Sequence, residues 1–187
     1  MPAKKQITKQ KILDSAVEIV RQSGMSALNM RTLACACKCS TQPIYLSFDG
    51  TEELKKEVAR AVLAIFNSYI EKEIAKNEYP EYKAVGMGYI RFAKEEKQLF
   101  KYLLMNEGMK QSGMESESFN ESVLMIMKNY GLYRDEASRL HAQMWIFVHG
   151  IASMFATDYI NWDWETVSSL VSDAYKGFMK NLQGENK

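Results

Sequence analysis

Only three prolines, Pro2, Pro43 and Pro80, interrupt 187 residues. Almost the whole chain is therefore free to run as helix, because proline both removes a backbone donor and clashes with the preceding turn. No run of alternating valine, isoleucine or threonine marks a strand, and the pattern predicts an all-α fold. Ile12, Leu13, Ala16, Val17 and Val20 recur at three- and four-residue spacing and predict a helix over 8–23, ended by Gly24. Asn29 is expected to cap a short helix over 30–36 and Ser40 another over 41–47, with Cys37, Lys38 and Cys39 between them. After Asp49-Gly50 a helical pattern runs over 51–76 through Leu54, Val58, Val62, Phe66 and Tyr69. At ~1.5 Å per residue such an element would be nearly 40 Å long, the length of a connector. Further helices are predicted over 82–105, 115–130, 134–158 and 164–183.

The composition, 47% hydrophobic and 25% charged, is that of a globular chain with a substantial core. The longest apolar stretch, 144–156, is interrupted by His149 and falls short of the ~20 residues that cross a bilayer. No membrane span is expected, and the basic N-terminus lacks the apolar run of a secretory signal, so a cytoplasmic location is the default expectation. The formal charge of +1 hides an asymmetry: residues 1–48 carry seven Lys/Arg against two Asp/Glu, and the rest carry 17 against 21. A basic segment beside a mildly acidic body is the footprint of a local polyanion-binding surface.

Two short helices joined by a tight turn, preceded by a longer helix and lying in that basic segment, form the arrangement of a helix-turn-helix. The second helix must be short and exposed along one side to enter a groove ~12 Å wide. In residues 40–47, Thr41 and Gln42 offer hydroxyl and amide groups to base edges, Tyr45 and Ser47 can reach phosphates, and Ile44 and Phe48 face inward.

The residues Lys11-Ile12-Leu13-Asp14-Ser15-Ala16, Gly24, Asn29-Met30-Arg31-Thr32-Leu33-Ala34, the segment from Cys39 through Ile44-Tyr45-Leu46-Ser47-Phe48, and Glu52-Glu53-Leu54 together resemble the TetR family of repressors. The resemblance covers about the first sixty residues. It implies an N-terminal helix-turn-helix DNA-binding domain over 1–50, a connecting helix over 51–78, and a helical ligand-binding and dimerisation domain over 79–187. It further implies base reading by Arg31, Thr41 and Gln42, and phosphate contacts at Tyr45, Ser47 and from Thr51 to Lys55, with Lys38 and Ser40 completing the set. The turn position that is usually glycine in the family is Lys38, which must take a left-handed backbone or reshape the turn. Thr51 stands where the family often has lysine.

On a helix, residues two apart point nearly opposite ways, so Cys35 and Cys37 do not converge on one ion. Cys37 and Cys39 occupy family positions of small buried apolar residues and are read as structural, with thiol sensing as the alternative. His141 and His149 lie ~12 Å apart along one helix and cannot share an ion. Trp145-Ile146-Phe147-Val148-His149-Gly150 is similar to a Trp-x-x-x-His-Gly segment of some TetR C-terminal domains, and His149 is read first as a core residue bonded to a neighbour. No metal or cofactor is expected. Nor is an enzyme: no nucleophile triad, phosphate loop or convergent ligand set is present.

Nine of the twelve methionines lie beyond residue 80. Such adaptable side chains suit a pocket for a small, largely apolar or aromatic ligand. Met105, Met125, Met144, Trp145, Phe147, Val148 and Phe155 are its expected lining, while Arg91, Arg134 and Arg139 are read near helix ends or on solvent faces. The pattern over 164–183 predicts a homodimer face including Val167, Leu170, Val171, Ala174 and Phe178. The expected activity is that of a repressor released from a palindromic operator in double-stranded DNA by its ligand. The alternative is a DNA-binding regulator controlled by thiol oxidation or a protein partner, without a metabolite pocket.

Overall fold

A computed structural model describes residues 7–106, 108 and 115–185. Among these are nine α-helices, α1 (Lys9–Ser23), α2 (Met30–Ala36), α3 (Gln42–Ser47), α4 (Gly50–Ala75), α5 (Glu81–Glu95), α6 (Lys97–Leu104), α7 (Glu115–Tyr130), α8 (Arg134–Ala156) and α9 (Trp164–Glu185), and no strand. The all-α expectation holds. The described residues of Met1–Ile65 and Gln98–Gly113 form one compact unit, and those of Phe66–Lys97 and Met114–Lys187 a second. No described helix is long and apolar enough to cross a membrane.

In the first unit, Thr8 caps α1 by accepting from the Lys11 N–H at 3.2 Å, and Ile12, Ala16, Val17 and Val20 form its buried stripe. Gly24 ends the helix at φ 78°, ψ 169°. Its φ is positive, as the glycine signalled, but its ψ is extended rather than left-handed helical, so the chain leaves into a single 3-10 turn, Met25–Ala27. Asn29 caps α2 as expected: its side chain accepts from the N–H groups of Arg31 and Thr32, both at 3.0 Å, while Thr32 Oγ1 accepts from the Asn29 N–H at 3.0 Å.

Ser40 does not cap the next helix. Thr41 holds the cap position with a helical backbone and without a side-chain bond, and α3 begins at Gln42. The reason is Pro43: at the second helical position it lacks the N–H that a capping oxygen would accept. Between α2 and α3 the Cys39 N–H bonds to the Ala34 carbonyl at 3.0 Å and the Lys38 N–H to that of Cys35 at 3.0 Å. These paired bonds form a Schellman closure, which needs a left-handed residue, and Lys38 supplies it at φ 52°. Leu99, Phe100 and Leu103 of α6 are fully buried, and the Tyr102 hydroxyl donates to the Lys55 carbonyl at 3.3 Å within this unit.

The sequence predicts a single helix over 82–105, whereas the backbone breaks at Glu96 (φ −118°, ψ 52°). The polar run Lys94-Glu95-Glu96-Lys97 gives helical geometry nothing to bury there, yet the apolar register carries on to Leu99 and hides the break.

In the second unit α5 is the most enclosed helix, burying Tyr82, Ala84, Met87, Gly88, Tyr89, Ile90, Phe92 and Ala93. A Cβ on Gly88 would lie 2.8 Å from the Ile70 Cα, so glycine is what lets α5 approach α4 so closely. Around that approach Phe66 meets Tyr89 and Phe92 edge-on at 5.5 and 5.3 Å, and Tyr69 meets Phe92 at 5.5 Å.

A lysine in the left-handed region carries a steric cost that glycine does not. Lys38→Gly is therefore expected to raise stability by about 1 kcal/mol in urea denaturation, with Lys38→Ala close to the parent.

Candidate nucleic-acid interface and apolar groove

The outward surface of the first unit follows from what α3 buries. Ile44 and Phe48 are 0% and 2% exposed, which fixes the roll of the helix and turns Gln42, Tyr45 and Leu46 outward. Arg31 on α2 and Lys38 and Ser40 in the turn are also exposed, while Thr41 and Ser47 are half-buried. The Ser47 hydroxyl donates to the Pro43 carbonyl at 2.8 Å and keeps its lone pairs as acceptors. Leu46, at 80% exposed, is absent from the sequence-derived set. It was findable, since an inward Ile44 and Phe48 leave 45 and 46 outward, and an exposed leucine there offers an apolar contact of the kind a thymine methyl takes.

At the start of α4, Thr51 is exposed and Lys55 pairs with Glu52 at 2.8 Å. The Lys9 ammonium lies 4.7 Å from the centroid of the Phe48 ring and pairs with Glu53 at 3.0 Å. The Asp49 N–H, and then Lys9, hold the Glu53 carboxyl below its usual range. These contacts tie α1, the end of α3 and the start of α4 together beneath the outward face.

The second unit places the expected lining residues unevenly. Met144, Val148 and Phe155 are buried along α8, Met125 and Phe147 are half-buried, and Trp145 is 47% exposed. Met105 is 44% exposed and belongs to the first unit, whereas the other six belong to the second. Of the expected dimer face, Val167 and Val171 are 0% and 2% exposed and are consumed by the core of their own chain. Leu170, Ala174 and Phe178 stay partly open.

Leu170 instead joins Ile146, Phe147, Gly150, Ile151, Met154 and Trp162 around an open groove of about 380 Å³ with an almost wholly apolar lining. Ile146 is 65% exposed, and nothing lies within 4 Å of a Cβ built on Gly150, so the groove floor is open to close approach.

Two tyrosine–histidine pairs, one buried and one part-buried, run along the α5–α8 seam. The Tyr82 hydroxyl lies 2.9 Å from His141 Nδ1, and the Tyr89 hydroxyl 2.7 Å from His149 Nδ1. Each histidine also meets an aromatic face: Phe119 stands edge-on to His141 at 4.6 Å, and Trp145 stacks on His149 at 5.3 Å. Burial raises both tyrosines and lowers both histidines, His141 to about 4. The core reading of His149 agrees with its Tyr89 bond.

Arg91 is not on a solvent face. Its Nε donates to Glu73 at 2.9 Å, and its guanidinium lies 4.1 Å from the Trp164 ring centroid. Glu73 is 1% exposed and also accepts from Lys76 at 2.7 Å; Arg91 and Lys76 outweigh burial and lower its pKa. Among the described residues no three potential metal ligands converge.

Residues 82–172 match the family model described as "Tetracyclin repressor-like, C-terminal domain". A TetR-like transcriptional regulator from Rhodococcus sp. RHA1 is 14% identical with a TM-score of 0.67, covering 94% of this chain and 96% of its own. The fatty acid degradation regulator FadR from Bacillus halodurans is 17% identical with a TM-score of 0.64, covering 94% and 96%. The multidrug binding protein EbrR, solved with imidazole, is 16% identical with a TM-score of 0.61, covering 89% and 93%. No curated protein matches the chain by sequence.

Burial keeps His141 neutral in the folded chain, whereas the unfolded chain takes up a proton below ~6.5. Folding is favoured above that value, and stability is lost as pH falls from ~6.5 towards 4. His141→Gln is expected to remove about 2 kcal/mol of the loss measured by denaturation between pH 7.5 and 4.5. Parallel curves for the two proteins would contradict this account.

Proposed function

We propose that this chain, whose residues 82–172 match a tetracyclin repressor-like C-terminal domain and whose fold is that of TetR-family regulators, is a sequence-specific, DNA-binding repressor released by a small, largely apolar ligand. The observation that carries the reading is the outward face of α3. Gln42, Tyr45 and Leu46 project from a short helix whose opposite side is pinned by Ile44 and Phe48, in the basic part of the chain. Arg31, Lys38, Ser40 and Thr41 border that face, and Ser47, Thr51 and Lys55 continue it along the expected phosphate track. In this reading Gln42 and Leu46 address base edges, while Tyr45 and the lysines address backbone.

The functional unit is a homodimer on a palindromic site, because two reading heads must sit ~34–36 Å apart, or a multiple of that, to enter successive major grooves on one side of a duplex. The apolar groove around Ile146, Gly150 and Leu170 supports a second copy packing there, a face shifted from Val167 and Val171 to residues their own chain leaves open. An apolar inducer is favoured by the side chains around Met144, Val148 and Phe155, and by Arg91, whose charge is already committed to Glu73. The fatty acid degradation regulator and the multidrug binding protein among the similar structures fit that ligand class.

Selection from a randomised duplex library should return an inverted repeat. On it, Tyr45→Ala should weaken binding about tenfold on every sequence, and Gln42→Ala should relax discrimination at one or two base pairs by ~1–3 kcal/mol. Parent-like affinity and selectivity in both variants would remove α3 from the interface. In sedimentation the parent should be dimeric at micromolar concentration and Ile146→Glu monomeric, and a monomeric parent would contradict the assembly.

A further inference from the structure

Cys37 and Cys39 do not occupy the buried positions expected of them. Cys35 is exposed, and Cys37 and Cys39 are half-exposed at the turn between α2 and α3. Burial, and after it the neighbouring Cys37 thiol, raises the Cys39 thiol above its usual range. The backbone explains the proximity. Cys37 closes α2 at φ −78°, ψ −7°, Lys38 reverses the chain at φ 52°, and Cys39 is held back against the helix end by its bond to Ala34. Residues two apart in a fully extended chain stand ~7 Å apart at the Cα atoms, and a reversal shortens this into the ~4.4–6.8 Å range that a disulfide spans. Cys35, two residues back on α2, points away from this pair.

We propose that Cys37 and Cys39 form an oxidisable dithiol that a peroxide closes to a disulfide across Lys38, reshaping the turn that carries α3. In this proposal Cys37 is the attacking sulfur and Cys39, whose ionisation is opposed by burial and then by its neighbour, is the resolving thiol. The Cys37 thiolate takes the terminal oxygen of hydrogen peroxide, giving a sulfenic acid and, after proton transfer, one water. The Cys39 thiol then displaces the sulfenic hydroxyl, its proton leaving with that hydroxyl as a second water. Two thiols are thereby oxidised by two electrons, one S–S bond forms, and one peroxide is reduced to two waters.

Drawing the sulfurs to ~2.05 Å tightens a turn that already holds a non-glycine residue left-handed. The Schellman bonds and the roll of α3 respond first, since this five-residue connection leads directly into the helix that Ile44 and Phe48 anchor. The effect on operator binding rests on the proposed DNA-reading role of α3; the disulfide itself does not.

The test exposes the intact protein to hydrogen peroxide and reads two quantities. Peptide mapping by mass spectrometry should find a Cys37–Cys39 bond within one chain, about 2 Da below the dithiol, reversed by dithiothreitol. Affinity for the selected inverted repeat should fall about tenfold on oxidation and return on reduction. Cys37→Ser and Cys39→Ser should each bind as the reduced parent does and lose the response, with circular dichroism confirming their fold, whereas Cys35→Ser should respond as the parent does. Oxidation confined to Cys35, links between chains only, or a Cys37–Cys39 bond that leaves affinity unchanged would overturn the proposal. If the reduced protein selects no DNA, the reading of α3 fails, and the mass measurement still decides whether the dithiol exists.

Discussion

A six-residue helix has no stability of its own, since nucleating one turn costs more than its few hydrogen bonds return. What holds α3 in place is the burial of Ile44 and Phe48 in the first unit, with Lys9 lying over the Phe48 ring and pairing with Glu53. The outward face depends on that anchoring, because a helix free to roll would present Gln42, Tyr45 and Leu46 to nothing in particular. Burying an isoleucine and a phenylalanine is worth roughly 1.5–3 kcal/mol each, far more than an exposed Lys9–Glu53 pair contributes. The apolar pair therefore sets the position, and the charged contacts refine it.

The second unit is organised by the opposite strategy, polar groups enclosed and paired. Glu73 would be costly at 1% exposure without Arg91 and Lys76, and Arg91 in turn rests on the Trp164 face. The two tyrosine–histidine pairs do for α5 and α8 what an apolar seam cannot. A histidine that must meet a tyrosine hydroxyl at each level permits one register, whereas leucines would tolerate a slip. Gly88 adds a steric condition, since the approach of α5 to Ile70 leaves no room for any side chain.

Much of this was legible in the sequence, and the limits are instructive. Most of the helices and the Asn29 cap follow from local rules that tertiary context did not override, and the left-handed backbone at Lys38 is one of the two outcomes that the family resemblance implied. The Ser40 cap failed because a residue further on, Pro43, removes the donor it needed. The break at Glu96 was hidden because apolar periodicity continues through it. The enclosed Arg91–Glu73 pair was out of reach, because 18 residues separate partners that meet only once α4 and α5 have packed. Cys37 and Cys39 were read as buried by analogy of position, and their half-exposure at the turn shows that position within a motif does not determine burial.

The face expected for assembly shows the same limit in its sharpest form. A helix such as α9 carries one apolar period, and Val167, Leu170, Val171, Ala174 and Phe178 all belong to it. Periodicity cannot divide those residues between the core of the chain and a surface between copies, because both bury apolar area with the same spacing. Packing makes the division: Val167 and Val171 turn inward against their own chain, and Leu170 is left at the edge of a groove otherwise built from α8 and Trp162. The α8 contribution was visible in Ile146, Gly150 and Met154, which fall four residues apart on one side of the helix. Their stripe is offset from the one through Met144, Val148 and Phe155 that faces the core. A helix with two apolar stripes can take two partners: the described residues of the chain cover the first stripe, and the second lines the groove.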